Sequence, residues 1–234
     1  MKLKYISSGI RAVLKHEGVI SLITRGYRFL LHRILVFDNY YIVCANIENA
    51  GNEREADFLP KTDDFCWKII STNQEADELA ANGFNFAAYE LNLRASLDRD
   101  ALVFCIFISK ELAHIACLAD NLRGKDTIDP IPFNVDFKNG EIVTGRALTV
   151  PKFRRLRLRN YSAYLLRRYC LERDITRING TMLTNNYAAL GAAALHKYMT
   201  IMSKCRFIKI LWFKHFKEKK IEPTTPQQIM TQKI

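Results

Sequence analysis

Apolar residues recur at helical spacing through residues 10–35, with Ile10, Val13, Leu14, Leu22, Ile23, Tyr27, Leu30, Leu31 and Ile34 on one stripe and Arg25, Arg28 and Arg33 mostly off it. Gly18 and Gly26 divide that run into shorter helical pieces. The pattern then changes period. Residues 40–47 are aromatic and β-branched and predict a strand, and a second is expected over 66–71. Thr72 followed by Glu75 is a helix-start signal, and Gly83 closes the helix it opens. Tyr89, Leu91, Leu93 and Leu97 mark a further helical stretch. The apolar runs 102–108 and 112–118, separated by Ser109-Lys110-Glu111, predict a hairpin.

Residues 120–137 read as loop. Asn139-Gly140 is a turn signal, and the strand after it, 142–150, stops at Pro151, which has no N–H to give a ladder. A helix over 160–173, a strand over 176–183 and an alanine-rich helix over 187–198 follow. A closing hairpin spans 201–216, and the end of the chain reads as a polar, disordered tail. The fold class is therefore α/β (α+β): a mostly antiparallel sheet with a mixed centre, flanked by helices. Residues 1–37 form a basic helical lead-in, 38–216 the main domain and 217–234 the tail.

Charge adds a division that the apolar pattern does not show. The net charge of +11 separates into +6 over residues 1–37, −9 over 38–150 and +14 over 151–220. An acidic middle and a basic end suit two ligands of opposite charge, or one anionic partner at one face. The six cysteines are scattered and form no CxxC pair, which argues against a zinc site or a disulfide framework and for free thiols in a reducing, cytoplasmic setting. No apolar run is long enough to span a bilayer, and no metal is expected.

The densest candidate chemistry lies at 149–159. A strand ends at Pro151, and a turn carrying Lys152, Arg154, Arg155, Arg157 and Arg159 opens a helix, the layout of a polyanion site at a helix N-terminus. This stretch resembles the GNAT acyltransferases, which read V-x-P-x-[YF]-R-G-x-G-x-[GA] here; three family glycines fall on Arg155, Arg157 and Arg159. The element order over 38–216 resembles that family as well.

The resemblance implies an N-acyltransferase, an enzyme that takes acetyl-CoA or another acyl-CoA and an amine acceptor whose identity the sequence does not give. It implies a phosphate site at Arg154, Arg155, Arg157, Leu158 and Arg159, and backbone groups from Leu148 and Val150 along the pantetheine arm. Asn185 and Asn186 fall near the coenzyme, and a backbone N–H near Leu148 would polarise the reacting carbonyl. The tyrosine that protonates the leaving thiolate in many members is missing at its usual spacing, which leaves Tyr187, His196 and Tyr198 as candidate donors. Glu141, Glu90 and Asp136 are candidate bases, because an ammonium must lose a proton before it attacks.

Two other readings stay open. A GNAT-like protein that has lost catalysis could hold an anionic partner on its basic face. The cationic amphipathic helices at the N-terminus and the cluster Lys214-His215-Phe216-Lys217-Glu218-Lys219-Lys220 could instead lie on an anionic membrane surface. The basic residues lack the aromatic interleaving of single-strand platforms, which argues against nucleic acid.

Overall fold

The structure, a computed structural model, describes residues 19–20, 23–24, 35–47, 52–194 and 199–231. Of the helical lead-in expected over 1–37, residues 19–20, 23–24 and 35–37 fall among these; the first two pieces are helical, but 35–37 already belong to the first strand, paired along its length with a later one.

An eight-stranded sheet forms the body, in the order β2-β3-β4-β5-β6-β1-β7-β8. The strands are β1 (Leu35–Asn46), β2 (Phe65–Ile70), β3 (Leu102–Ile108), β4 (Glu111–Ala119), β5 (Glu141–Thr149), β6 (Arg177–Leu183), β7 (Met199–Ile210) and β8 (Phe213–Thr224). Every neighbouring pair is antiparallel except β5 and β6, which are parallel and joined by a long helix, as a parallel connection requires. The helices are α1 (Asn73–Ala81), α2 (Glu90–Leu97), α3 (Leu122–Ile128), α4 (Leu158–Leu171), α5 (Tyr187–Ala194) and α6 (Pro226–Thr231).

At β3 both faces of the sheet are covered, which explains why that strand reads LVFCIFI without polar alternation. Val103, Cys105 and Phe107 pack in one core with Leu93 of α2, Leu112, Ile115 and Val143. Phe104 and Ile106 face the opposite core with Tyr161, Leu165 and Cys170 of α4. Each such side chain, fully buried, contributes about 1.5–3 kcal/mol. Phe107 also meets Phe84 and Phe86 edge-on at 4.7 and 5.4 Å. A third, smaller core joins Tyr41 and Val43 of β1 to Leu190 and Ala193 of α5.

Local signals account for several boundaries. Thr72 Oγ1 accepts from the Glu75 amide at 3.1 Å, and the Glu75 carboxylate reaches back to the Ser71 amide at 2.6 Å, so α1 starts where the sequence says it should. Gly140 takes φ 75° in the turn before β5. Two segments differ from expectation. Residues 122–128, read as loop, form α3, capped by Asn121, whose Oδ1 accepts from the Gly124 amide at 2.8 Å. Beyond 217 the chain continues as β8 to Thr224 and then as α6, because β8 pairs along β7 from Ile210↔Phe213 to Ile201↔Thr224. All six cysteines are free, and four of them are buried.

Candidate active site

The parallel pair β5–β6 holds together for only three steps: Glu141↔Arg177, Ile142↔Ile178 and Val143↔Asn179. Beyond them β5 follows β4 and β6 follows β1, so the two strands part. Gly180 sits at the point of divergence, where a Cβ would lie 2.9 Å from the Thr144 carbonyl oxygen. A cavity of about 440 Å³ fills the opening, walled by β5, β6, α4 and α5.

Along β5 the opening is shaped by a bulge. Ile115 pairs with Leu148 and Cys117 with Gly145, so Arg146 and Ala147 together oppose Ala116, and Arg146 takes φ 48°. Further on, the Val150 amide donates to Ala113 O at 2.9 Å and the Val150 carbonyl accepts from Phe153. Val150 therefore has no backbone group for a ligand, contrary to expectation. Antiparallel ladders alternate, so Thr149, one residue earlier, turns its N–H and C=O away from β4 toward the gap. Leu148 lines the cavity, but by the same alternation its N–H and C=O face Ile115 in the β4 ladder.

At the end of this strand the chain turns into α4. Arg155 and Arg157 both adopt left-handed backbone, at φ 68° and 62°. Arginine there costs about 1–2 kcal/mol, and glycine would avoid it. The amides of Arg155, Leu156, Arg157, Leu158 and Arg159 have no acceptor among the described residues. Such a row at the start of a fourteen-residue helix suits an anionic group. Arg154 and Arg155 are exposed. Arg157 is turned aside: its Nη2 donates to Asp57 O at 2.7 Å. Leu158 is buried beneath the turn. Arg159 lines the cavity; solvent reaches much of its side chain, yet the crowding of its guanidinium lowers its pKa.

Two buried polar atoms in the cavity wall lack a partner. His114 is fully buried; its Nδ1 lies 2.7 Å from Thr149 Oγ1, and its Nε2 is unsatisfied. Burial lowers its pKa to about 3, with the Arg159 charge adding to the effect, so the ring is neutral. Ser162 of α4, equally buried, has an unsatisfied Oγ. A buried polar group without a partner costs about 1–3 kcal/mol, which a ligand oxygen or amide would recover.

On the other side of the gap, Thr181 of β6 lines the cavity and donates its hydroxyl to Asp129 Oδ2 at 2.8 Å. Asp129 is buried. Burial raises its pKa, partly offset by hydrogen bonds from Thr181 and from the Ile131 amide. Tyr40 shares this wall, and its hydroxyl is held protonated by burial and by Asp38. Neither Asp129 nor His114 stands out by spacing. Asp129 follows an unremarked helix, and His114 lies in an apolar run.

The other expected residues divide. Asn186 lines the cavity and caps α5, its Oδ1 accepting from the Ala189 amide at 3.0 Å. Asn185 is exposed in the turn before it. Tyr187 is 60% exposed and outside the cavity wall. Glu141 lies at the closed end of the β5–β6 pair, bonded to Arg177 Nη1 at 2.9 Å and to Asn179 Nδ2 at 3.2 Å, and is not part of the wall. Glu90 and Asp136 also stand outside it. His196 and Tyr198 lie outside the described residues. No carboxylate lines the cavity among the described residues; its charged members are Arg146, Arg159 and Arg167, the last paired with Glu53 at 2.8 Å.

No protein-family profile matches the chain, and no curated protein does. Solved structures with a similar shape include a Drosophila protein at 15% identity, with 80% of this chain and 57% of that one covered and a TM-score of 0.46. A tandem GNAT protein from the clavulanic acid biosynthesis pathway is 11% identical, with coverages of 68% and 49% and a TM-score of 0.44. A GCN5-related glucosamine N-acetyltransferase region of a fungal multi-domain β-N-acetylglucosaminidase is 8% identical, with coverages of 82% and 23% and a TM-score of 0.48. The chain thus spans about half the length of the first two. These likenesses describe shape and carry nothing about activity. By its own strand order and open parallel pair, the fold is GNAT-like.

Proposed function

We propose that the protein is an acyl-CoA-dependent N-acyltransferase. The observation that carries this reading is the parting of β5 from β6 beside the start of α4, whose first amides are unpaired. The amides of residues 155–159, with Arg154, Arg155 and Arg159, would hold the diphosphate. Thr149 would pair with the pantetheine arm in the manner of an added strand. The coenzyme supplies a thioester, whose carbonyl carbon is open to attack by an amine.

A backbone N–H at the bulge, near Leu148, would donate to the carbonyl oxygen as charge builds on it. The acceptor nitrogen forms the new C–N bond as the C–S bond breaks. Its proton passes to the Thr181 hydroxyl, which hands its own to Asp129. The departing thiolate takes a proton from water or from His196 or Tyr198, since Tyr187 stands outside the cavity wall. The three arginines in the wall favour a neutral or anionic acceptor that carries its amine, over a polycation. A reducing, cytoplasmic setting suits six unpaired thiols.

Calorimetric titration with CoA and acetyl-CoA at low ionic strength tests the binding half, and thiol release against a panel of amines tests the chemistry. Saturable binding with thiol release is expected; no heat with either ligand would reject the reading. The second reading is a protein that has lost catalysis and holds an anionic partner on its basic face; Arg157, drawn away to Asp57 and so withdrawn from the phosphate turn, supports it. Binding without thiol release would select it.

A further inference from the structure

The hairpin that closes the sheet breaks three local rules at once. Its turn, between Ile210 and Phe213, contains Leu211 and Trp212 rather than the asparagine and glycine that tight hairpins favour, and Leu211 is held at φ 55°. Those side chains are left in water: Trp212 is 87% exposed, and Ile210, Leu211 and Phe213 are each about half exposed. Along the arms, cations stand directly opposite cations at Lys209↔Lys214, Arg206↔Lys217 and Lys204↔Lys219, pairings that destabilise a sheet. None of these six makes an ion pair to a carboxylate among the described residues.

The apolar tip extends onto β1. Leu35 pairs with Ile210 and Phe37 with Ile208, and both are exposed, so they lie on the face shared by Ile208, Ile210 and Phe213. Arg206 lies over the Phe37 ring at 5.6 Å, where apolar tip meets basic arm. Strand rise sets the scale. Lys209 and Lys214 lie two residues, about 7 Å, behind Leu211 and Trp212, and Arg206 and Lys217 five residues, about 17 Å, behind them. When the tip is sunk about 5–10 Å, the nearest lysines lie at the level of lipid head groups.

We propose that this hairpin is a membrane anchor, its Leu211-Trp212 tip entering the head-group and acyl boundary of an anionic bilayer while the paired cations of β7 and β8 hold the lipid charge. Charge complementarity identifies the partner's sign, and the exposed tryptophan and leucine identify its apolar interior. A nucleic acid would satisfy the cations and leave the aliphatic tip in water. The proposal is independent of what the cleft between β5 and β6 does.

The test uses the full chain carrying Trp67→Phe, so that emission reports Trp212 alone. Sedimentation with phosphatidylcholine vesicles containing about one third phosphatidylglycerol should capture the protein, pure phosphatidylcholine should not, and salt should reverse capture. On binding, Trp212 emission should shift to the blue and be quenched by bromine-labelled acyl chains.

Leu211→Ser with Trp212→Ser should weaken binding at least about tenfold. Lys209→Ser and Lys214→Ser should weaken it about fivefold each. Far-UV circular dichroism checks that these surface variants fold, and the salt titration of the unaltered tip decides the matter if they do not. Failure to bind anionic vesicles overturns the proposal, as does binding indifferent to the tip. Blue-shifted emission already in buffer overturns it too, because another part of the chain or a second copy then covers the tip. Capture by an oligonucleotide but not by vesicles would move the site to nucleic acid.

Discussion

Arg155 and Arg157 flank Leu156 in the same left-handed backbone conformation, φ 68° and 62°, at two positions where the resembling family has glycine. The turn bears the strain of both. Replacing Arg155 with glycine relieves about 1–2 kcal/mol of that strain and costs about 0.5–1 kcal/mol in chain entropy. Arg155→Gly is therefore expected to stabilise the fold by about 0.5–1 kcal/mol in urea unfolding, while Arg155→Ala, equally strained, gains nothing. Equal midpoints for the two variants would mean the turn is relaxed as it stands.

Gly180 tests the parting of the strands. A methyl group there meets the Thr144 carbonyl at 2.9 Å, and a backbone oxygen has little freedom to retreat. Gly180→Ala should destabilise the protein by about 1–3 kcal/mol, the usual cost of overpacking. It should also move β6 away from β5 and loosen the grip on any ligand between them. Denaturation and CoA titration together check both effects.

The pH dependence of stability isolates His114. Its folded pKa, about 3, lies below the unfolded value near 6.5, so between these limits the unfolded chain binds the extra proton. Stability is full above about pH 6.5 and falls as pH drops toward 3, by about 1.4 kcal/mol per unit well inside that window. From pH 7 to pH 5 the loss assigned to His114 is about 2 kcal/mol. His114→Gln should remove that part of the slope. An unchanged slope in the variant would show that the ring is not buried neutral.

These contrasts also show which features a sequence can carry. The capping pair Thr72 and Glu75, the Asn139-Gly140 turn and the long apolar strands are local, so periodicity and turn chemistry reveal them. The phosphate-type turn was visible because five cations crowd a short segment. Asp129 and His114 were not, because each gains its character from strands far away in sequence: Thr181 on β6 and Thr149 on β5. The split of net charge misled for the same reason. Among the described residues the acidic middle of the chain supplies no carboxylate to the cavity wall, since a sheet brings alternate residues of distant strands together regardless of average charge.

Asp129 gives a kinetic prediction. Its carboxylate is raised by burial, so a proton route through Thr181 opens only as pH climbs above that raised value. Acyl transfer should show an acidic limb that follows Asp129. Asp129→Asn keeps an acceptor for the Thr181 hydroxyl but cannot take a proton. It should lower kcat/KM by about 10²-fold or more and abolish the limb, with CoA affinity unchanged. A variant that retains the limb would assign the base elsewhere.

Arg159 separates phosphate binding from cavity shape. It lines the cavity and stands close enough to His114 to depress its pKa. If its guanidinium meets a phosphate, Arg159→Gly should weaken CoA binding about tenfold or more and flatten the salt dependence, because one charge-assisted contact is lost. Acetyl-pantetheine, which lacks the diphosphate, should bind the variant as it binds the parent. The His114 pKa, followed through the pH dependence of unfolding, should rise once the neighbouring charge is gone. Equal losses for both ligands would show that Arg159 acts by filling space, and the anion would then rest on the amides of residues 155–159 alone.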